Sequence, residues 1–400
     1  MYERAQVQTL SARMAELDNP LMQVVVGPRQ TGKSTMLAQA LAKQEVQGVP
    51  SHFVSADDAT PPSTTWLQGE WQQARNLVRS HPEGALLIVD EIQKVPHWPT
   101  SVKSLWDADR REGVPLKVFL SGSSSLLLHK GLEDSLMGRY ELIRSPHWSL
   151  GECREAFGFD LEDWLYFGGY PGAARFIEDE QRWSAYLRDA IIEPTISQDV
   201  LALEDVRKPA LMRALFQLGA LYSSQELSYN KMLGQLQDAG NTVTLAHYLE
   251  LLDKAGMIAS LSKFDPKELK RRRSSPRLLV YDTALMTATS GKGRDAWLGE
   301  SDRRGHLVES AVGASLLARS AAEGFELYWW REGNAEVDYV LQRGSDISAI
   351  EVKSGSESAQ SGMGAFLSRY PEAKRIVVGG GATGAVDLED FLEGKVPLFY

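Results

Sequence analysis

The sequence predicts an α/β fold built on a parallel sheet flanked by helices, and three observations point to it. Short apolar strands alternate with polar-rich helical segments through residues 1–150. The first strand runs into Gly27-Pro28-Arg29-Gln30-Thr31-Gly32-Lys33-Ser34-Thr35, a glycine-bounded loop that opens a helix. A later strand, Ala-Leu-Leu-Ile-Val, is apolar throughout, as a strand buried on both faces must be, and ends in Asp90-Glu91.

Taken in order, strands are expected at 22–26, 52–56, 85–89, 117–120 and 141–145. From about 151 to 255 no strand is expected, and the helices there break at the GGYPG turn, 168–172, and at 240–241. A helix-turn-helix pattern covers 226–237 and 242–255, with Thr242 or Thr244 as the cap of its second helix. Leu245, Tyr248, Leu249, Leu251 and Leu252 fall at helical spacing and should face a core. A β-hairpin is expected at 257–264 and 277–281, then a helix at 304–320, three strands, a further helix and a last strand at 375–378. Four parts result: a core at 1–150, a helical connector at 151–205, a helix-pair and hairpin module at 206–285, and an α/β domain at 295–400.

Composition narrows the function classes. Hydrophobic residues make up 43% and charged residues 24%, the balance of a soluble globular chain. A formal net charge of −10 argues against a chain devoted wholly to nucleic acid, although it says nothing of local patches. Cys153 is the sole cysteine, which excludes an internal disulfide framework and a cysteine-rich zinc site. The start, MYERAQVQTLSARM, lacks the basic and then apolar pattern of a signal peptide, and the apolar runs are too short to span a bilayer. A cytoplasmic location with no membrane partner is expected.

The loop at 27–35 suits phosphates. Its glycines let the backbone curl until successive N–H groups point inward, and the following helix N-terminus adds its positive end. ATP is the expected ligand, with Lys33 reaching the outer phosphates and the Ser34 hydroxyl ligating Mg²⁺. Strand ends line the ligand crevice of a parallel sheet, so Asp90 should arrive beside the loop and hold the Mg²⁺ shell. Glu91 would orient or deprotonate the attacking water. Ser121 and Ser123 follow the fourth strand, where a sensor of the terminal phosphate belongs. Arg139 is either placed to reach a neighbouring subunit's nucleotide or is a solvated surface arginine.

GPRQTGKST, LLIVDEIQKVP, FLSGSSS and the Gly138-Arg139 pair resemble the AAA+ ATPases of a large prokaryotic family. Its members join an AAA+ core to a C-terminal domain of unknown function. YFGGYPG at 166–172, HLVE at 306–309, EVDY at 336–339 and EVK at 351–353 are similar to that family's later motifs. The resemblance implies ring oligomers, commonly hexamers, with Arg139 acting in trans, and a lid within 151–205. No second sensor arginine stands out in that lid.

Two later features suggest what ATP would drive. Between 263 and 277 there are seven Lys or Arg, including Lys270, Arg271, Arg272, Arg273 and Arg277, against Asp265 and Glu268. With the helix pair before it, this reads as a winged helix whose basic wing grips DNA phosphates, as a solvated basic hairpin, or as a surface that meets another subunit or a protein partner. Further on, Glu309 falls in a helix, Asp338 in one strand, and Glu351 with Lys353 on one face of the next. Three carboxylates suit Mg²⁺ or Mn²⁺, with Lys353 steering a water. The order resembles the PD-(D/E)XK restriction-endonuclease-like fold, although Val337 stands where that pattern has proline. His306 is expected to make a hydrogen bond rather than bind metal. The expected function is an oligomeric ATP-hydrolysing motor that binds DNA and remodels it or moves along it, with branched DNA as one candidate substrate. The alternatives are an ATP-dependent switch acting on a protein partner and an ATP-regulated nuclease.

Overall fold

The structure is a computed structural model that describes residues 2–122, 136–201, 206, 208–237, 240–265, 274–353, 362–381 and 384–400. The chain forms two compact units, Met1–Pro146 and His147–Tyr400.

The N-terminal unit opens with the helix Ala5–Ala15. Then come β1 (Met22–Val26), the helix Lys33–Val46, β2 (Ser51–Ser55), the helix Thr64–Ser80 and β3 (Ala85–Asp90). The helix Trp98–Glu112, β4 (Leu116–Ser121) and β5 (Tyr140–Arg144) complete it. All five strands are parallel, in the order β2-β3-β4-β1-β5. The strands fall where the sequence places them, and for the inner three, β1, β3 and β4, the reason is burial on both faces, whereas the edge strands β2 and β5 are partly exposed. Along β3, Leu86 and Ile88 join a core with Val25, Met36, Leu37 and Phe119. Their neighbours Ala85, Leu87 and Val89 join a second core with Val24, Leu67, Trp71 and Val118. Each large aliphatic side chain so buried contributes about 1.5–3 kcal/mol relative to exposure. Helices Ala5–Ala15 and Lys33–Val46 cover the first face through Val7, Leu10, Met14 and Ala40. Helices Thr64–Ser80 and Trp98–Glu112 cover the other and are tied by Asp109, which accepts from Trp71 Nε1 and Arg75 Nε, both at 2.7 Å.

The C-terminal unit begins with helices Leu150–Phe157, Leu161–Phe167 and Glu180–Tyr186. Two π-helical segments, Leu187–Ile192 and Thr195–Val200, and the helix Pro209–Leu221 follow. The expected helix pair is Tyr229–Gln235 and Thr242–Lys254, and Leu245, Tyr248, Leu249, Leu251 and Leu252 are buried. Its cap is Asn241, not Thr242 or Thr244. A cap must lie outside the helical conformation (Asn241 has φ −138°, ψ 170°), and its side chain accepts from Thr244 N at 2.9 Å.

One strand was not expected. β6 (Gln225–Glu226) is two residues long, too short to show an alternating pattern. It borders the hairpin β7 (Ile258–Leu261) and β8 (Arg277–Val280) in a three-stranded sheet, order β6-β8-β7. After the helix Ser301–Glu323 come β9 (Glu326–Glu332), β10 (Ala335–Arg343), β11 (Asp346–Lys353), the helix Met363–Arg369 and β12 (Lys374–Gly379). They form a mixed sheet, order β12-β11-β10-β9, with only β11 and β12 parallel. The hairpin is joined to this sheet: Lys263 bridges Trp329, Phe264 N donates to Trp329 O at 2.6 Å, and Phe264 packs with Tyr328, Trp330 and Phe366. Among the described residues no helix is long and apolar enough to cross a membrane.

The GGYPG turn is a close-approach device. A Cβ on Gly168 would lie 1.9 Å from Asp282 Oδ1. Asp282 accepts from Gly169 N (2.8 Å) and Ala284 N (2.9 Å), linking segments over a hundred residues apart. Burial pushes the Asp282 carboxyl up to about 7, against those two hydrogen bonds. The folded protein thus holds this proton more tightly than the unfolded chain, so stability falls as pH rises from about 4 to about 7. Asp282→Asn does not titrate. Denaturant unfolding should therefore show the wild type losing up to a few kcal/mol relative to the variant between pH ~5 and pH ~8. A difference that stays constant with pH would contradict the buried carboxylate.

Candidate functional site

Three neighbouring strands deliver one polar centre. β3, β4 and β1 lie side by side, and their C-terminal ends carry Asp90, Ser121 and the 27–35 loop. The Asp90 carboxylate is 6% exposed. It accepts from Ser34 Oγ (2.5 Å), Ser121 Oγ (2.5 Å) and Glu91 N (3.0 Å). Ser34 stands in the first turn of Lys33–Val46, behind Gly32 at φ 91°. Ser34 and Asp90 thus offer two hard oxygen ligands within hydrogen-bonding distance of each other, the donor set that Mg²⁺ accepts alongside water and phosphate oxygens.

The loop is held from outside as well as by its own sequence. Gly27 passes so close to the end of β5 that a Cβ there would lie 2.1 Å from Ser145 O. Lys33 Nζ donates to the Gly27 and Pro28 carbonyls at 2.9 and 2.6 Å. Thr31 Oγ1 donates to Pro28 O (3.1 Å) and accepts from Ser145 Oγ (3.0 Å). Arg29, Gln30 and Thr35 complete the stretch, with Gln30 in the left-handed region at φ 62°.

Sequence reading missed Arg4. It is 2% exposed, and its Nη1 donates to Thr31 O (3.2 Å), Ser145 Oγ (3.1 Å) and Pro146 O (3.1 Å). One guanidinium therefore clamps the loop to the chain beyond β5. No sequence signal marks it, since it is one arginine among many in front of a helix. The clamp is carried by that helix, whose partner is the loop's own helix: Gln44 Nε2 donates to Ser11 Oγ (2.9 Å) and Gln39 Nε2 to Tyr2 O (3.0 Å).

Glu91 also departs from ordinary backbone. At φ 54° and ψ 35° it is left-handed, at a cost of about 1–2 kcal/mol for a residue with a side chain. Its Oε2 accepts from Gln93 Nε2 at 2.5 Å. Such strain recurs at functional sites, where surrounding contacts hold it in place. Arg139 is paired within its own unit: Nε meets Asp107 Oδ1 at 3.0 Å, and its guanidinium lies 5.7 Å from the Trp106 ring centre. Ser123 lies outside the described residues, as do Lys270, Arg271, Arg272 and Arg273.

Arg277 is a correction to the basic stretch. Instead of lying at the surface for a phosphate, it is 2% exposed, because β8 is sandwiched in the unit and carries it inward. Its Nη1 donates to Glu309 Oε1 (3.1 Å) and to Asp338 O (3.0 Å), and Nη2 pairs with Glu336. Glu309 and Asp338 are thus brought together, but around an arginine. Burial raises both carboxyls, with Arg277 opposing the rise. Glu351 and Lys353 pair with each other, Oε1 to Nζ at 2.5 Å. Among the described residues no group of three or more His, Cys, Asp or Glu is arranged to hold a metal ion. His306 Nε2 lies 2.5 Å from Ser223 O, and burial lowers its pKa, so it is a neutral hydrogen-bonding side chain.

Comparison with known proteins follows this division. Residues 19–154 match the family described as an AAA domain, in keeping with the five-stranded parallel sheet of a P-loop AAA+ core. Residues 158–296 and 304–391 match two families, each described as a domain of unknown function, DUF8612 and DUF4143. No curated protein matches the chain. Similar solved structures include a Walker-type ATPase of Pyrococcus abyssi, 16% identical, covering 72% of this chain and 96% of that one at a TM-score of 0.45. The ORC1 protein of Aeropyrum pernix in complex with DNA is 13% identical, with 74% and 93% covered and a TM-score of 0.30. AMPPCP-bound DnaA from Aquifex aeolicus is 16% identical, with 63% and 86% covered and a TM-score of 0.32. Each shares too little geometry with this chain to inform its chemistry.

The clamp is testable by a double-mutant cycle. Arg4→Ala strips Thr31 O, Ser145 Oγ and Pro146 O of a charged donor and should cost about 2–3 kcal/mol in denaturant unfolding. Ser145→Ala should then cost measurably less in the Arg4→Ala background than alone. Strict additivity would mean that the two side chains do not act together.

Proposed function

We propose that this chain is a Mg²⁺-dependent ATPase that couples hydrolysis to binding and remodelling DNA. The observation that carries the ATPase reading is the Asp90 carboxylate, which takes Ser34 Oγ and Ser121 Oγ at 2.5 Å each beside the glycine-bounded loop. On this reading ATP lies along Gly27–Thr35 with its phosphates on the loop N–H groups and the helix N-terminus. Lys33 exchanges the Gly27 and Pro28 carbonyls for phosphate oxygens. Ser34 and Asp90 hold Mg²⁺, which neutralises charge developing on the phosphates. Ser121, with Ser123 beyond it, senses the terminal phosphate through Asp90. Glu91, set apart by its left-handed backbone, orients the attacking water.

The DNA half rests on different residues. A helix pair, Tyr229–Gln235 and Thr242–Lys254, precedes a hairpin whose connection carries Lys270, Arg271, Arg272 and Arg273. Such a stretch binds phosphate without reading sequence. We read 206–285 as a winged-helix module and 151–205 as a lid and connector to the core at 1–150. In a ring oligomer, Arg139 of one subunit would leave Asp107 and reach the next subunit's nucleotide. One observation favours a protein partner instead: Arg277, the last cation of the basic stretch, is buried rather than presented.

The deciding experiment is ATP turnover by the full chain alone and with duplex, single-stranded and four-way-junction DNA. Glu91→Gln should lower turnover by about 10²-fold or more while leaving nucleotide bound. Replacing Arg271, Arg272 and Arg273 with Glu should abolish any DNA stimulation and leave the basal rate unchanged. Turnover indifferent to every DNA form at low salt would transfer the proposal to a protein partner.

A further inference from the structure

Of the three carboxylates expected at a second ion site, Glu309 and Asp338 both face Arg277, while Glu351 pairs with Lys353. Glu309 comes from the helix Ser301–Glu323. Asp338 comes from β10 at the point where its register with β9 shifts, between Val337 and Val340. A bulge of this kind re-aims a side chain. Into this acidic corner β8 inserts Arg277, whose side chain is 3% exposed. Besides its bonds to Glu309, Glu336 and the Asp338 carbonyl, the guanidinium lies 3.8 Å from Asp338 Oδ1. Its carbon sits 5.4 Å from the Trp329 ring centre.

Two further carboxylate oxygens are committed. Asp338 Oδ2 accepts from Val352 N at 2.8 Å, and Glu351 Oε1 holds the Lys353 ammonium at 2.5 Å. One oxygen, Glu351 Oε2, is buried with no hydrogen-bond partner among the described residues. A single such oxygen, its sister atom bound to an ammonium, does not make a divalent site. Mg²⁺ demands near-octahedral oxygens at about 2.0–2.1 Å around one point. An arginine cannot give up its proton to make room. A metal entering here would place its charge beside a buried guanidinium, or else expel it.

We propose that Arg277 is the resident cation of the Glu309–Asp338 cluster, so that the C-terminal sheet takes no catalytic divalent ion and leaves nucleic acid uncut. The arginine does what the ion does in a metal-dependent nuclease, in that it neutralises converging carboxylates. It supplies neither an activated water nor an open coordination position. The acidic pattern survives as architecture, pinning β8 to the helix Ser301–Glu323 and to β10. The proposal stands apart from the ATPase reading and does not depend on it.

The test uses the full chain and Mn²⁺ as probe. Free Mn²⁺, counted by electron paramagnetic resonance, should show wild type and Asp338→Asn binding the same number of ions. Arg277→Ala should melt several degrees lower and recover part of the loss in millimolar Mn²⁺, as the ion takes the vacated position. Should Arg277→Ala fail to fold, the comparison of wild type with Asp338→Asn decides alone. One Mn²⁺ more on the wild type than on Asp338→Asn would overturn the proposal. So would metal-dependent DNA cleavage that Asp338→Asn abolishes, or a folded Arg277→Ala that melts with the wild type.

Discussion

The N-terminal unit is organised around one carboxylate. Asp90 closes a strand whose every residue is buried, so its side chain leaves the core at the single place where β1, β3 and β4 all end. A carboxylate only 6% exposed needs donors. Those donors come from three elements: Ser34 from the loop's helix, Ser121 from β4, and the backbone of Glu91. The sheet order, the loop's position and the reach of Ser34 are therefore one constraint seen from three sides. Any phosphate chemistry at this centre must work through hydrogen bonds that Asp90 already collects.

Much of this was legible beforehand, for a physical reason. A strand buried on both faces writes itself as an unbroken apolar run, and a phosphate loop needs glycines at fixed spacing. Both are local signals. Once the strands are parallel, their C-terminal ends must share an edge, so Asp90, Ser121 and Gly27 converge without knowledge of any contact. Arg4 was not legible, because its role depends on acceptors 27 to 142 residues away. β6 has no pattern of its own, and the cap at Asn241 is hard to place by residue type because Thr242 and Thr244 beside it are also cap-forming residues.

The C-terminal unit shows the same boundary from the other side. Its motifs were visible as residue types at suggestive spacing, but their partners were not. Gly168 and Gly169 belong to a turn because Asp282, far along the chain, occupies the space beside them. Arg277 belongs to a run of cations in sequence, yet its bonds are to residues 32 and 61 positions later. Charge counted along a chain and charge presented on a surface are different quantities. Strand geometry decides which residues of a basic stretch turn inward. The carboxylates at 309 and 338 illustrate the point again: proximity was readable, while the identity of the cation between them was not.

The central claim is that the loop and the Ser34–Asp90 pair form a Mg²⁺–ATP site. It is tested most directly by calorimetric titration of ATP into the full chain, with Mg²⁺ and with EDTA, for wild type and Lys33→Ala. The account predicts saturable one-to-one binding that Mg²⁺ strengthens and Lys33→Ala abolishes. Absence of binding to the wild type, or binding indifferent both to Mg²⁺ and to the loss of Lys33, would contradict it.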